Sequence, residues 1–137
     1  MTNGVPSRQT LSKCERISKR LLIDELFGSR RSTSMTAFPL RVVFIEKAER
    51  GDNPAVQVLV SVPKRYLKHA VDRNRVKRQV REAYRKQKQS LVELMDGRTD
   101  KQLLVAFVWI DSALHPSDEV HQKVGNLLLR IGERLCR

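Results

Sequence analysis

The chain has 137 residues, of which 40% are hydrophobic, so it is long enough for one domain and too apolar to be disordered throughout. Its 27 Lys and Arg residues against 15 Asp and Glu residues give a formal net charge of +12, which favours a polyanionic partner, either nucleic acid or an anionic membrane surface. No apolar run approaches the roughly 20 residues of a membrane span, residues 1–13 lack a secretory apolar core, and Cys14 and Cys136 form no CxxC or zinc spacing, so we expect a cytoplasmic protein.

The N-terminal region is predicted to begin with a tail and continue as a helix. Residues 1–10 are polar and are expected to be a flexible tail before a single domain over residues 11–137. Ser18 is a suitable N-cap for a first helix and Gly28 a suitable stop. The apolar face of this helix repeats at spacings of three and four residues, through Leu22, Ile23, Leu26 and Phe27.

Three segments rich in β-branched or aromatic residues are predicted to be strands, at residues 38–46, 55–62 and 103–110. Residues 30–36, before the first of them, are polar and basic and are predicted to be a loop. The first two strands are separated by turn-forming residues, 51–54, which favours an antiparallel pair. The third segment is apolar almost throughout, so we expect a strand that is covered on both faces.

Two further helices are predicted, one on each side of the third strand. The first is long and basic, covers residues 69–95 and ends at Asp96 and Gly97. The second covers residues 117–135 and begins with acidic residues, which suit the positive end of a helix dipole. Its apolar stripe consists of Val120, Val124, Leu127, Leu128, Ile131 and Leu135. The order is helix, strand, strand, helix, strand, helix, with room for a further short strand.

The basic helix carries most of the net charge. Residues 64–88 contain eleven Lys or Arg residues and only two acidic ones, Asp72 and Glu82. At about 100° per residue, one face is predicted to be apolar, formed by Val76, Val80, Ala83, Tyr84, Gln87 and Leu91. The opposite face is predicted to present Asn74, Lys77, Arg78, Arg81, Arg85 and Lys88. An ordinary solvated face mixes charges of both signs, and this one barely does, which favours binding to RNA or DNA.

Charge and helical phase leave more than one class of nucleic-acid protein open. A structural RNA binder of the ribosomal type has similar size and charge. A DNA-binding regulator would place the basic helix in the major groove, but the sequence has no clear turn-helix partner before that helix and no dimerisation heptads. We therefore expect an RNA partner rather than DNA.

The remaining polar side chains show no catalytic or metal-binding pattern. The histidines have no ligand spacing and are predicted to take surface or turn positions: His69, His115 and His121. Ser61 is predicted to be a strand hydroxyl, because no triad pattern accompanies it. A helix cap or solvated acids are the better interpretation of Asp111, Asp118 and Glu119. Trp109 and Tyr84 are predicted to pack in the core, and for Phe27 the helix pattern alone also favours the core.

An ordered motif narrows the choice. Residues 61–65, SVPKR, and residues 70–85, AVDRNRVKRQVREAYR, resemble the signature of the bacterial ribonuclease P protein subunit, in which an RNR motif is followed by KR and RE. The likeness extends to the first helix with Leu26 and Phe27, to the FPLRVVF strand and to the last strand and helix. It covers roughly residues 11–135, and the ordered RNR, KR and RE spacing argues against the ribosomal alternative.

The resemblance implies a fold and a function. It implies one compact α+β sandwich like domain 2 of ribosomal protein S5, with a small mixed sheet, about three helices and a left-handed βαβ crossover through the basic helix. It also implies an accessory subunit of a ribonucleoprotein endonuclease whose catalytic RNA removes the 5′ leader of precursor tRNA. The chemistry would belong to Mg²⁺ bound mainly by the RNA, with no catalytic side chain and no metal held by the protein alone.

The resemblance also assigns two binding sites. The catalytic RNA would contact Arg73, Asn74, Arg75, Lys77, Arg78, Arg81 and, on the same helix face, Arg85. A cleft would hold the single-stranded leader of precursor tRNA through Ile23, Phe27, Phe38, Arg41, Lys64 and Arg65. The family often has an aromatic residue at the position of Ile23 and a tyrosine at that of Arg41. We therefore expect weaker base stacking and a stronger charge contact in this cleft.

Overall fold

The computed structural model describes residues 26–28, 31–48, 54–98 and 100–136. Four strands and three helices follow one another in this part of the chain: β1 Thr33–Ala37, β2 Leu40–Lys47, β3 Val56–Ser61, α1 Ala70–Gln87, α2 Gln89–Asp96, β4 Gln102–Trp109 and α3 Ser117–Leu135. Residues 26–28 are helical, which agrees with a first helix that ends at Gly28. The remainder of that predicted helix and the predicted tail lie outside the described residues. None of the described helices is both long enough and apolar enough to cross a membrane.

The strands form one mixed sheet in the order β1-β2-β4-β3. β4 pairs antiparallel with β2 and parallel with β3. The predicted antiparallel pairing of the first two strand segments is therefore wrong, because β4 lies between them. β4 is buried along nearly its whole length and apolar on both faces, as predicted, so a central position removes more of its apolar surface from water than an edge would.

The segment predicted to be a loop, residues 30–36, contains most of β1. Thr33, Met35 and Ala37 are half-buried, whereas Ser34 and Thr36 are exposed. An edge strand pairs with a neighbour on one side only and buries one of its faces. Its sequence can therefore stay polar, and the hydrophobic pattern that would predict a strand is weak. The loop prediction was wrong for this reason.

The first predicted strand begins two residues late in the structure, at Leu40 rather than Phe38. Ala37 pairs with Leu40, so Phe38 and Pro39 form the turn between β1 and β2. Proline has no N–H group to donate to a ladder, which suits a turn better than a strand interior. Phe38 thus lies at the end of the sheet, with 54% of its surface exposed.

The helices cover one face of the sheet and share a core with it. Tyr84 of α1 and Ile131 of α3 pack in the same cluster as Phe107 and Trp109 of β4. The predicted apolar stripe of the last helix is confirmed, since all of its residues are buried: Val120, Val124, Leu127, Leu128, Ile131 and Leu135. The predicted core positions of Tyr84 and Trp109 are also confirmed.

The opposite face of the sheet carries a second, smaller core cluster. Leu26, which is fully buried, packs there against Val43, Ile45, Leu104 and Ala106. Phe27, the next residue, is 48% exposed, so the expectation from the helix pattern that it packs in the core is wrong. Its neighbour Leu26 takes the position that faces the sheet.

The long basic helix of the prediction is two helices, with the break at Lys88. The second of them ends at Asp96, next to Gly97, as predicted. Lys88 is only 7% exposed, so its predicted place on the cationic face is wrong. The phase was drawn for one straight helix, and the break falls at Lys88; Leu91, beyond the break, is buried as predicted.

The chain passes from β3 to the parallel neighbour β4 through α1 and α2, so the expected βαβ crossover through the basic helix is present. Its left hand remains a prediction. The crossover and the mixed sheet make a single α+β domain of the class expected from the resemblance.

Candidate RNA interface

Two glutamines of α1 fix that helix against α3. The Gln79 side-chain amide donates to the His115 carbonyl at 3.0 Å and to the Ser117 hydroxyl at 3.0 Å, and the Gln87 amide donates to the His121 carbonyl at 2.9 Å. Gly125 of α3 faces Gln87, where a Cβ atom would lie 2.3 Å from the amide oxygen. These contacts set the rotation of α1 about its axis, and so they determine which side chains face outward.

The outer face of α1 is cationic along its length. Val76, Val80, Ala83 and Tyr84 of the predicted apolar face are buried, and Gln87 is half-buried. On the opposite face the structure leaves Asn74, Arg75 and Arg78 exposed and Lys77 and Arg81 half-buried. The predicted two-faced character of the helix is therefore confirmed within α1.

Three of the predicted RNA-binding arginines, Arg73, Arg81 and Arg85, interact with other groups of the chain. Arg73 Nη1 donates to the carbonyls of Leu67 at 3.0 Å and Lys68 at 2.7 Å, so it fastens the loop that leads into α1. Arg85 forms an ion pair with Glu82. Its hydrogen bond lowers the pKa of Glu82 below the ordinary value. Contact with RNA at Arg85 would compete with that pair, whereas Arg75 and Arg78 offer their guanidinium groups without such competition.

Four of the six predicted leader-binding residues lie at one end of the sheet: Phe38 just before β2 and Arg41 at its start, and Lys64 and Arg65 after the end of β3. Arg41 is exposed and lies in register with Thr36 on β1 and Val108 on β4, and Val108 is in register with Ser61 on β3. This row belongs to the face of the sheet opposite α1 and α3, because successive side chains along a strand alternate between faces. Arg41 Nε donates to Ser34 Oγ at 2.8 Å, which orients the guanidinium group along that face.

The other predicted leader contacts differ in where the structure places them. Lys64 and Arg65 are exposed in the turn that follows β3, and the Arg65 guanidinium lies 5.0 Å from the centre of the Tyr66 ring. Phe27 is exposed next to Leu26, which covers the same sheet face. Phe38 lies at the sheet end but turns its ring toward His115. Ile23 lies outside the described residues.

His115 forms a cluster that the sequence did not reveal. Its Nε2 lies 2.6 Å from Asp111 Oδ2, and its Nδ1 contacts Glu119 Oε2. The ring packs edge-on against Trp109 at 5.3 Å and Phe38 at 6.4 Å between centroids. Two carboxylates can both accept only from a doubly protonated ring. Asp111 and Glu119 were predicted to be solvated or capping acids, and both also contact the His115 ring.

The cluster predicts a pH-dependent stability. The hydrogen bond to Asp111 raises the pKa of His115 above its ordinary 6.5, against an opposing effect of burial, and the hydrogen bond to His115 lowers the pKa of Asp111 below its ordinary 3.8. Because folding raises the pKa of His115, its protonation stabilises the fold fully below pH 6.5. This stabilisation is lost as the pH rises through the pKa of His115 in the folded protein. The lowered Asp111 pKa adds stability above pH 3.8. The contribution of the cluster is therefore largest between these two values.

We expect the His115→Gln protein to lose less stability than the unchanged chain when pH is raised from 6 to 9. Urea unfolding at several pH values measures this difference, because each midpoint reports the free energy of unfolding. His69→Gln is the control, since His69 is exposed and lies outside the His115 cluster. Parallel curves for the unchanged chain and His115→Gln would contradict the assignment.

Comparison with known proteins gives a family. The ribonuclease P family model matches residues 11–132. The chain belongs to the ribonuclease P protein family. It is 34% identical over 128 residues to the ribonuclease P protein component of Chlorobium phaeobacteroides, covering 89% of this chain and 88% of the relative. It is 36% identical over 126 residues to that of Porphyromonas gingivalis, covering 92% and 89%.

Solved structures of ribonuclease P proteins share the fold. The protein from Thermotoga maritima superposes with a TM-score of 0.60 at 21% identity, over 85% of this chain and 96% of that one. The protein from Staphylococcus aureus gives 0.50 at 20% identity, over 90% and 92%. The mixed sheet and its helical layer are thus those of other ribonuclease P proteins.

Proposed function

We propose that the chain binds the catalytic RNA of ribonuclease P through the outer face of α1. We also propose that it binds the 5′ leader of precursor tRNA along the face of the sheet that α1 and α3 do not cover. As a ribonuclease P protein it is the accessory subunit of a ribonucleoprotein endonuclease, and the RNA performs the chemistry. The observation that carries the proposal is the outer face of α1: it holds the RNR motif, its cations face outward, and its reverse side is buried in the core.

The catalytic-RNA surface consists of seven residues that differ in what they offer. Arg75 and Arg78 are exposed cations for phosphate, and Asn74 adds an exposed amide. Arg73 is hydrogen-bonded to the loop that leads into α1. It would therefore contact RNA while its guanidinium group stays bound to those carbonyls. The complete proposed set is Arg73, Asn74, Arg75, Lys77, Arg78, Arg81 and Arg85.

The proposed leader site combines positive charge with exposed aromatic rings. Arg41, Lys64 and Arg65 supply charge, and Phe27 and Phe38 supply exposed rings on which bases can stack. Ile23 belongs to this proposal from the sequence motif alone.

Mg²⁺ is proposed as the cofactor of the holoenzyme, held mainly by the RNA. Across the described ranges, no three His, Cys, Asp or Glu side chains are arranged to hold a metal ion. Two acids near the RNA-binding helix have partners within the fold, since Glu82 pairs with Arg85 and Asp111 with His115. On this proposal the cations of α1 neutralise phosphate charge on the RNA.

The proposal extends to the domain limits and the compartment. The RNA-binding domain would span residues 11–137, with residues 1–10 as a tail, which is supported by the family match to residues 11–132. A cytoplasmic location is proposed from the charge and from the RNA partners.

A competition assay tests the catalytic-RNA part of the proposal. The protein is bound to labelled ribonuclease P RNA at about 0.15 M salt, and unlabelled competitors of equal length are added. We expect ribonuclease P RNA to compete at least about a hundredfold better than a ribosomal RNA fragment, on the scale of specificity ratios for nucleic-acid proteins. Equal competition would indicate a general RNA binder and overturn the proposal.

The leader site gives a second prediction. Arg41→Ala should weaken binding of the reconstituted holoenzyme to precursor tRNA by about 1 kcal/mol and reduce the salt slope by about 0.7, because one contact to a single-stranded phosphate is lost. Filter binding at several salt concentrations measures both. Mature tRNA, which lacks the leader, is the control and should bind equally well to both holoenzymes. An unchanged affinity and slope for the precursor would remove Arg41 from the site.

A further inference from the structure

A groove of about 570 Å³ lies between α1 and the beginning of α3. That volume falls within the range of roughly 300–1,000 Å³ typical of small-molecule and cofactor sites. Three residues of its wall are cations of α1, namely Arg75, Arg78 and Lys86, and α3 contributes Ser117, Asp118 and His121. The groove therefore joins the RNR helix to a second helix that the family motif does not include.

The charges of the groove are available to a ligand. Arg75 and Arg78 form no hydrogen bond or ion pair with the described part of the chain, and Lys86 adds, after Arg85, to the positive charge that lowers the pKa of Glu82. Of the two acids in the wall, Glu82 is bound to Arg85. Asp118 is exposed and faces the same space. The wall thus favours an anion, and Asp118 is the group that would oppose one.

A polar group at the floor lacks a partner. Gln79 is 9% exposed and lines the groove. Its amide nitrogen donates to His115 and Ser117, whereas its amide oxygen is buried without a donor from any described residue. A buried acceptor of this kind is unfavourable until a donor reaches it. A ribose hydroxyl or a base amino group is such a donor, and an RNA strand places one next to each phosphate.

We propose that this groove holds a backbone segment of the catalytic RNA, with phosphates on Arg75, Arg78 and Lys86 and a sugar or base donor directed toward Gln79. The first turn of α3 then belongs to the RNA interface, through Ser117 and His121. The positive end of the α3 dipole adds to the attraction, since no N-cap side chain occupies its first amide groups. This inference rests on the proposed binding of catalytic RNA by α1.

Two substitutions with opposite expected effects test it. Lys86→Ala removes a phosphate contact and should weaken binding to ribonuclease P RNA about threefold to tenfold, with a salt slope lower by about one. Asp118→Asn removes the opposing charge and should strengthen binding about twofold to fivefold. Arg134→Ala is the charge-matched control, because Arg134 is exposed near the other end of α3 and should change affinity by less than about twofold.

The outcomes separate this inference from the proposed function. If Arg78→Ala weakens binding but Lys86→Ala and Asp118→Asn do not alter it, the RNA follows α1 alone and the groove proposal is wrong. If none of the variants, Arg78→Ala included, alters binding, the proposed function itself fails. A loss of affinity in Asp118→Asn with an unchanged melting temperature would also overturn the groove proposal, because it would assign Asp118 an attractive role.

Discussion

Replacing both Arg75 and Arg78 with alanine is expected to weaken binding to ribonuclease P RNA by about 2–6 kcal/mol, at about 1–3 kcal/mol for each arginine. Both side chains are exposed on the outer face of α1. Phosphate contacts release counterions, so the slope of affinity against salt should also fall by about two. The two sites lie within one turn of helix, and their effects need not add fully.

The same double variant should keep its stability. Neither side chain belongs to the core, so the melting temperature should change by no more than an ordinary surface substitution allows, about 0.5 kcal/mol in free energy. Lys101→Ala combined with Arg134→Ala removes equal charge from outside α1 and should bind RNA nearly normally. A large fall in melting temperature would show that Arg75 and Arg78 stabilise the fold. Equal RNA affinities of the two double variants would show that these arginines contribute only through the net charge of the protein.

Trp109→Ala is expected to destabilise the domain by about 3–5 kcal/mol, the usual range for a large aromatic residue lost from a core. Trp109 is fully buried at the end of β4, pairs with Leu40 across the ladder and contacts the His115 ring. Its replacement removes one of the largest buried side chains and leaves a cavity beside the His115 cluster. Urea unfolding measures the loss directly.

Two other variants sharpen this prediction. Trp109→Phe should lose less, at most about 2 kcal/mol, because the buried indole N–H has no acceptor among the described residues and its removal offsets part of the lost packing. Leu129→Ala should change stability by less than about 0.5 kcal/mol, since Leu129 is largely exposed. If Trp109→Ala unfolds at the same urea concentration as Leu129→Ala, the assigned core is wrong.

The most accurate predictions from the sequence were those based on helical periodicity. The apolar stripe of α3 and the buried side of α1 follow from 3.6-residue spacing, which depends only on neighbours along one helix. The uninterrupted apolar character of β4 likewise indicated a strand covered on both faces. These features are local, so the residues themselves reveal them.

Features that depend on distant pairing were not predictable in the same way. β1 is a polar edge strand, and its strand character comes from hydrogen bonds to β2 rather than from its own pattern. The place of β4 between β2 and β3 depends on long-range contacts. The inward turn of Lys88 depends on a helix break that no glycine or proline marks.

The candidate site shows the same division. The RNR motif and the helical phase predicted the cationic face of α1, but they did not show that Arg73 is bound to the carbonyls of Leu67 and Lys68. The spacing of Asp111, His115 and Glu119 by four residues was the available sign of the His115 cluster. It was not recognised, because the three residues straddle the loop and the start of α3, where helical spacing is no guide.

Cleavage of precursor tRNA by the reconstituted holoenzyme is the measurement that tests the central claim most directly. Ribonuclease P RNA is mixed with the unchanged protein or with the Arg75 and Arg78 double variant, at a Mg²⁺ concentration at which the RNA alone is nearly inactive. The account predicts cleavage at the mature 5′ end with the unchanged protein. With the variant, at protein concentrations below the dissociation constant of the variant for ribonuclease P RNA, it predicts a cleavage rate reduced at least about tenfold. No stimulation by the unchanged protein, or equal stimulation by the variant at those concentrations, would contradict the role of α1 as the docking surface for the catalytic RNA.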